Sequence, residues 1–185
     1  MKRTFIAVKT SADEKLTETV SLLKLELQKD SIKWVDLNQI HLTLTFLGDT
    51  DDYVIEKVSS ILSEKCQGSG LVNFIISGIG IFSDINNPRV IWAGIKNAES
   101  LLKLHQLVTG SLIKIGIKPE EREFKPHITL GRIKYIKDKN RLKQVLSKYD
   151  NTKEFQEVKI KELIYFESIL KPEGPLYLPI RRIIL

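Results

Sequence analysis

Two of the three histidines in this 185-residue chain sit in the same four-residue setting. One is His127-Ile128-Thr129-Leu130 and the other is His41-Leu42-Thr43-Leu44. Histidine titrates near pH 6.5, so of two neighbouring imidazoles one can be neutral while the other is charged. Such a couple can take a proton from a nucleophile and give one to a leaving group, which suits in-line displacement at phosphorus. Each positioned proton transfer typically contributes about 10²–10⁴-fold. Threonine hydroxyls beside the rings can donate to non-bridging phosphate oxygens and hold the phosphorus still.

Chance alone places two of three histidines two residues before a threonine on the order of once in a hundred chains of ordinary composition, before the shared Leu is counted. Other chemistries fit the sequence less well. Zinc needs three or four N, O or S ligands, and neither motif has a His-x-His, cysteine or acidic cluster beside it. Cys66, the single cysteine, lies in a polar helix end, and no serine occupies a nucleophile elbow. His105 falls inside a predicted helix and is given no role.

Strand periodicity must position the pair. Both motifs lie in alternating polar and apolar runs, so each reads as a half-buried β-strand. Strict alternation puts His41, Thr43 and Thr45 on one face and Leu42, Leu44 and Phe46 on the other; it likewise pairs His127 with Thr129. Around them, Arg3–Lys9 reads as a strand. Ser11-Ala12-Asp13-Glu14 looks like a capping box before a helix of roughly 13–29, with Leu16, Val20, Leu23 and Leu27 at helical spacing. Thr50 or Asp51 can cap a helix that buries Val54, Val58, Ile61 and Leu62. Leu71–Ser77 reads as a strand broken by Gly78–Gly80. Asn97 can cap a third helix through Leu101, Leu104, Val108 and Leu112, ending at Gly116. Asp138 caps a fourth, with Leu142, Val145 and Tyr149. Strands near 155–168 and 176–184 finish the chain.

The spacing of these elements repeats. Arg3 to Arg89, Ala7 to Ala93, Leu16 to Leu102, His41 to His127 and Thr43 to Thr129 are all 86 residues apart. A constant offset across a strand, a helix and the motif points to a duplicated β-α-β-α-β unit, with a first repeat of about 1–86 and a second of about 87–185. Duplicated halves usually pack about a pseudo-twofold axis. Two distant motifs near that axis would face each other across a cleft.

Composition bounds the partners. Hydrophobic residues make up 42% and charged residues 28%, as in ordinary globular domains. The net charge of +6 favours an anionic partner such as RNA, DNA or a nucleotide. One cysteine allows no intrachain disulfide, which fits a reducing, cytoplasmic compartment. No apolar run approaches a membrane span and no signal peptide is visible, so no membrane partner is expected. A monomer is expected.

Three stretches carry a resemblance to a known family: His41-Leu-Thr-Leu-Thr-Phe-Leu-Gly48, Pro88-Arg-Val-Ile-Trp-Ala-Gly94 and Phe124-Lys-Pro-His-Ile-Thr-Leu-Gly-Arg132. Arg3-Thr-Phe-Ile-Ala7 and Gly174-Pro-Leu-Tyr177 also fit. Over nearly its whole length the chain resembles the two-histidine phosphoesterases, and within them the RNA 2′,3′-cyclic phosphodiesterases, also called 2′-5′ RNA ligases. The resemblance implies a bilobal α+β fold, with two antiparallel sheets flanking a central cleft and helices outside. It implies hydrolysis of the 2′,3′-cyclic phosphate of an RNA end or small cyclic nucleotide to a 2′-phosphate, without metal or other cofactor. It also allows reversible 2′-5′ joining of RNA. The family's catalytic and phosphate-binding residues fall on His41, Thr43, His127 and Thr129, and its arginine falls on Arg132. Strict alternation sends Arg132 to the wrong face, so it reaches the cleft only if the strand ends or bulges at Gly131. Phe5 is the candidate for stacking on a base, with ordinary core as the competing role. The alternative of a different class is a non-catalytic RNA- or nucleotide-binding module using the same cleft.

Overall fold

Helix caps and strand alternation divide the described residues into thirteen main elements. The computed structural model describes residues 1–119, 123–172 and 174–185. In order the elements are β1 (Lys2–Lys9), α1 (Glu14–Glu26), β2 (Ser31–Trp34), β3 (His41–Thr50), α2 (Asp52–Cys66), β4 (Val72–Phe82), β5 (Val90–Lys96), α3 (Glu99–Lys114), β6 (His127–Tyr135), α4 (Lys139–Ser147), β7 (Glu154–Ile160), β8 (Glu162–Lys171) and β9 (Gly174–Ile184). The strands form two antiparallel sheets, ordered β3-β1-β8-β9 and β2-β6-β5-β4-β7. The class is α+β, as expected.

The two halves of the chain interleave. β4 comes from the first half but pairs with β5 and β7 of the second. β8 and β9 come from the second half but extend the sheet of β1 and β3. Each motif strand pairs with the strand that opens its own half: β3 with β1, and β6 with β5.

The helices form where caps and apolar spacing agree. Asp13, Asp51 and Asp138 accept hydrogen bonds from backbone N–H groups of the first turns of α1, α2 and α4. Each such cap contributes about 1 kcal/mol. The cap of α1 is Asp13 rather than a box begun by Ser11. α3 starts after Ala98 with no side-chain cap, because Asn97 takes a left-handed conformation at φ 52°. Leu16, Val20 and Leu23 of α1, Val58 and Leu62 of α2, Leu101, Leu104, Val108 and Leu112 of α3, and Leu142 and Val145 of α4 all enter one core with Ile6, Leu42, Ile76, Ile91, Ile128 and Leu130 of the two sheets. In α2 the buried face is rotated toward Ile55 and Ser59.

Three strand expectations change. Gly78–Gly80 does not break β4. Gly78, at φ 61°, is the extra residue of a bulge between Ser77 and Ile79, and the strand runs on to Phe82. The run at 155–168 is two strands in different sheets, parted at Lys161. Ser31–Trp34, not anticipated as a strand, forms β2 on the edge beside β6.

Candidate active site

The two motif histidines are fixed in the same way. His127 Nδ1 donates to the Lys125 carbonyl at 2.8 Å, and His41 Nδ1 donates to the Gln39 carbonyl at 3.3 Å. A carbonyl only accepts, so the neutral rings carry their proton on Nδ1 and a free lone pair on Nε2. In both cases the acceptor lies two residues upstream, in the backbone that feeds the strand. Entry into β3 and β6 therefore selects the tautomer and the direction of Nε2.

Strand register sets what stands beside each ring. In the β1–β3 pairing Lys9 faces His41 and Ala7 faces Thr43. In the β5–β6 pairing Gly94 faces His127 and Trp92 faces Thr129. His and Thr thus share the expected face in each strand. The backbones of β3 and β6, which belong to different sheets, approach within 8 Å.

Beyond the motifs, bulges reset the alternation. A register shift between Ile6 and Ala7 turns Thr45 inward opposite Ile6 and brings Phe46 round to Phe5. Thr45 is 5% exposed and Phe46 is 46% exposed, so their expected faces are exchanged. A second shift, between Ile91 and Trp92, leaves Leu130 and Gly131 both buried and turns Arg132 outward, opposite Val90 and Lys33. The bulge that Arg132 needed is present. Gly131 belongs there because a Cβ would stand 2.9 Å from Ile32 and 3.1 Å from the Trp34 ring.

Aromatic side chains wall both imidazoles. Phe5 lies 5.4 Å from His41, and Tyr177 of β9 meets the same ring edge-on at 4.9 Å. Phe5 also contacts Phe46, Phe166 and Tyr177, and is only 1% exposed. Its ring has no free face for a base, so the base-stacking expectation is corrected: Phe5 is the floor under His41. Phe82 meets His127 edge-on at 4.6 Å and rests against Trp92 at 5.5 Å. The indole lies over Gly80, where a Cβ would stand 2.3 Å away. Phe82 and Gly80 carried no recognisable sequence signal, and Trp92 stood only inside a family match. Tyr177 stood only inside a short family match.

The electrostatics join the two halves. Burial holds the His41 pKa below 6.5 against the opposing Gln39 hydrogen bond, and the positive charges of Arg132, His127 and Lys9 push it the same way. Burial also lowers His127, against the Lys125 carbonyl, and Arg132 lowers it further. One guanidinium therefore acts on both histidines, and on Tyr177 as well. Among the described residues Arg132 enters no ion pair with a carboxylate. Nor do three of His, Cys, Asp and Glu gather there into a metal-binding group. Cys66 is buried and its thiol is pushed up to about 11, which leaves it inert.

These directions make a stability prediction. His41, His127 and His105 all titrate below 6.5 in the fold, each chiefly through burial. The unfolded chain takes up protons first as pH falls. Their stabilisation is complete above the unfolded value and declines as pH drops from about 6.5 toward the lowered native values. Melting temperature followed from about pH 8 to pH 5 should fall in the lower part of that range, and a His41→Asn/His127→Asn protein should show a shallower decline. A parent Tm flat over this interval would contradict the shifts.

Comparison with known proteins points one way. A family model described as "LigT like Phosphoesterase" matches residues 6–92 and again 95–177. A Thermotoga maritima protein named RNA 2′,3′-cyclic phosphodiesterase is 33% identical over 175 residues, covering 95% of this chain and 91% of the relative. One of the same name from Archaeoglobus fulgidus is 31% identical over 180 residues, covering 97% and 98%. Among solved structures, one from Thermus thermophilus superposes with a TM-score of 0.79 at 24% identity, covering 99% of this chain and 97% of the other. E. coli LigT complexed with 3′-AMP superposes at 0.73 with 18% identity, covering 100% and 98%.

Proposed function

The chain belongs to the LigT-like phosphoesterase family, and from that premise we propose that it hydrolyses the 2′,3′-cyclic phosphate ends of RNA to 2′-phosphomonoesters, with His41 and His127 as the acid–base couple. The observation that carries this is the matched pair of imidazoles, each held through Nδ1 by a carbonyl two residues upstream and each in the field of Arg132. A module that only bound phosphate would be served by Arg or Lys and would gain nothing from two tautomer-fixed histidines. Relatives of about 30% identity over nearly the full chain carry the phosphodiesterase name.

In the proposed reaction one Nε2 takes a proton from water as its oxygen attacks phosphorus. The P–O3′ bond breaks, and the other imidazolium protonates the departing 3′-oxygen. His41 has more cationic neighbours pressing it toward the neutral form than His127 has, which supports His41 as base and His127 as acid. Thr43, Thr129 and Arg132 hold the non-bridging oxygens. If the 5′-hydroxyl of a second RNA replaces water, the same displacement yields a 2′-5′ linkage. No step calls on a metal or other cofactor.

The chain is read as a single two-histidine domain built from two copies of one unit, which the two consecutive matches to one family model support. No helix among the described residues is long and apolar enough to cross a membrane. A cytoplasmic monomer is the proposed form.

Incubation with a nucleoside 2′,3′-cyclic phosphate and with a short RNA bearing that end should yield the 2′-phosphate. The rate should survive excess chelator. Binding without turnover would support the binding-module alternative. Loss on chelation with recovery on adding a divalent ion would end the metal-free mechanism.

A further inference from the structure

The Lys125 carbonyl that orients His127 lies in residues 123–126, just ahead of β6, which belong to neither helix nor strand. After α3 the backbone–backbone hydrogen bonds of residues 115–117 close the helix end, and among the described residues none is made by 118–119 or 123–126. The equivalent carbonyl on the other side is better held. Gln39 lies in a 3-10 turn, Leu37–Gln39, closed by its own N–H donating to the Asp36 carbonyl and by the Asp36 side chain accepting from Asn38. The His127 side needs another anchor, and one is present. Phe124 lies flat on the imidazole of His105, with ring centroids 3.9 Å apart and planes 2° from parallel. His105 stands on α3 between Leu104 and Val108, which are both in the core, so its backbone is fixed by the helix. Phe124 packs against that core from outside.

We infer that His105 is a positioning residue: its ring, stacked on Phe124, holds the next residue's carbonyl where it fixes the tautomer and aim of His127. The flat stack gives Phe124 one orientation, and Lys125 and Pro126 carry it to the start of β6. The inference rests on His127 being half of the acid–base couple, but its first readout does not need turnover.

The test is ¹⁵N NMR of the imidazoles in their neutral form, with kinetics alongside, for the parent, His105→Ala and His105→Phe. In the parent, His127 should be the Nδ1–H tautomer. In His105→Ala it should move toward Nε2–H, the form an unconstrained neutral histidine prefers. His105→Phe keeps a flat ring and should restore the parent state, which also guards against general damage from the alanine. His41, held by its own turn, should not change in any of the three. Turnover in His105→Ala should fall roughly 10- to 100-fold with KM little altered, as for a misaimed catalytic group, and return with phenylalanine. An unmoved His127 tautomer in the alanine variant overturns the inference. So does a phenylalanine variant as displaced as the alanine one. A tautomer that moves in a protein whose parent hydrolyses no cyclic phosphate upholds the positioning role and refutes the proposed function instead.

Discussion

His41→Ala and His127→Ala proteins should turn over cyclic phosphate about 10²–10⁴ times more slowly than the parent, with substrate binding weakened much less. In the proposed mechanism the imidazoles transfer protons in the transition state and contribute little to holding the ground state, so the loss belongs in kcat. The parent rate should be bell-shaped in pH, with limbs that belong to the couple. Both histidines are held below 6.5 in the free protein, so the bell for kcat/KM is centred on the acid side of neutrality. If His41 is the base, its variant loses the acid limb; if His127 is the acid, its variant loses the alkaline limb. The double variant should cost far less than the product of the singles, because half of an acid–base couple does little alone. Thr43→Ala and Thr129→Ala should be milder. Near-normal turnover in either single histidine variant would end the mechanism.

The motifs were legible because they depend on strand alternation over only three residues. His41 with Thr43 and His127 with Thr129 need no tertiary information, and the register keeps each pair on one face. Where alternation had to run further, bulges intervened. Thr45 and Phe46 exchange faces at one such shift. A bulge costs one residue of register and leaves little trace beyond a glycine, and near Thr45 there is not even that. Gly131 gave the hint for Arg132, whereas Gly78 was misread as a strand end. The aromatic walls were illegible for a different reason. Tyr177 meets His41 from 136 residues further along the chain, and Phe82 reaches His127 from a strand of the other half. The crossing of β4 and β9 into opposite sheets creates those contacts, and local patterning does not encode which sheet a strand joins.

Arg132→Ala should lose turnover by about 10²–10³-fold, the usual cost of removing one preorganised donor from a developing oxyanion. The same substitution should move the pH profile. Arg132 presses the pKa of both His41 and His127 downward, so without its charge both rise and the bell shifts toward higher pH. The two effects separate two roles. A phosphate clamp alone would lower the rate and leave the profile in place. A charge that only tuned the histidines would move the profile with little loss at the new optimum. Arg132→Lys resolves them further. It keeps a positive charge, so the profile should stay near the parent's, but it loses the planar fork that grips two phosphate oxygens at once, so the rate should remain well below it. Alanine and lysine variants that both keep the parent pH optimum would show that the guanidinium does not act on the imidazoles in solution. An alanine variant with both the parent turnover and the parent pH profile would remove Arg132 from the site altogether.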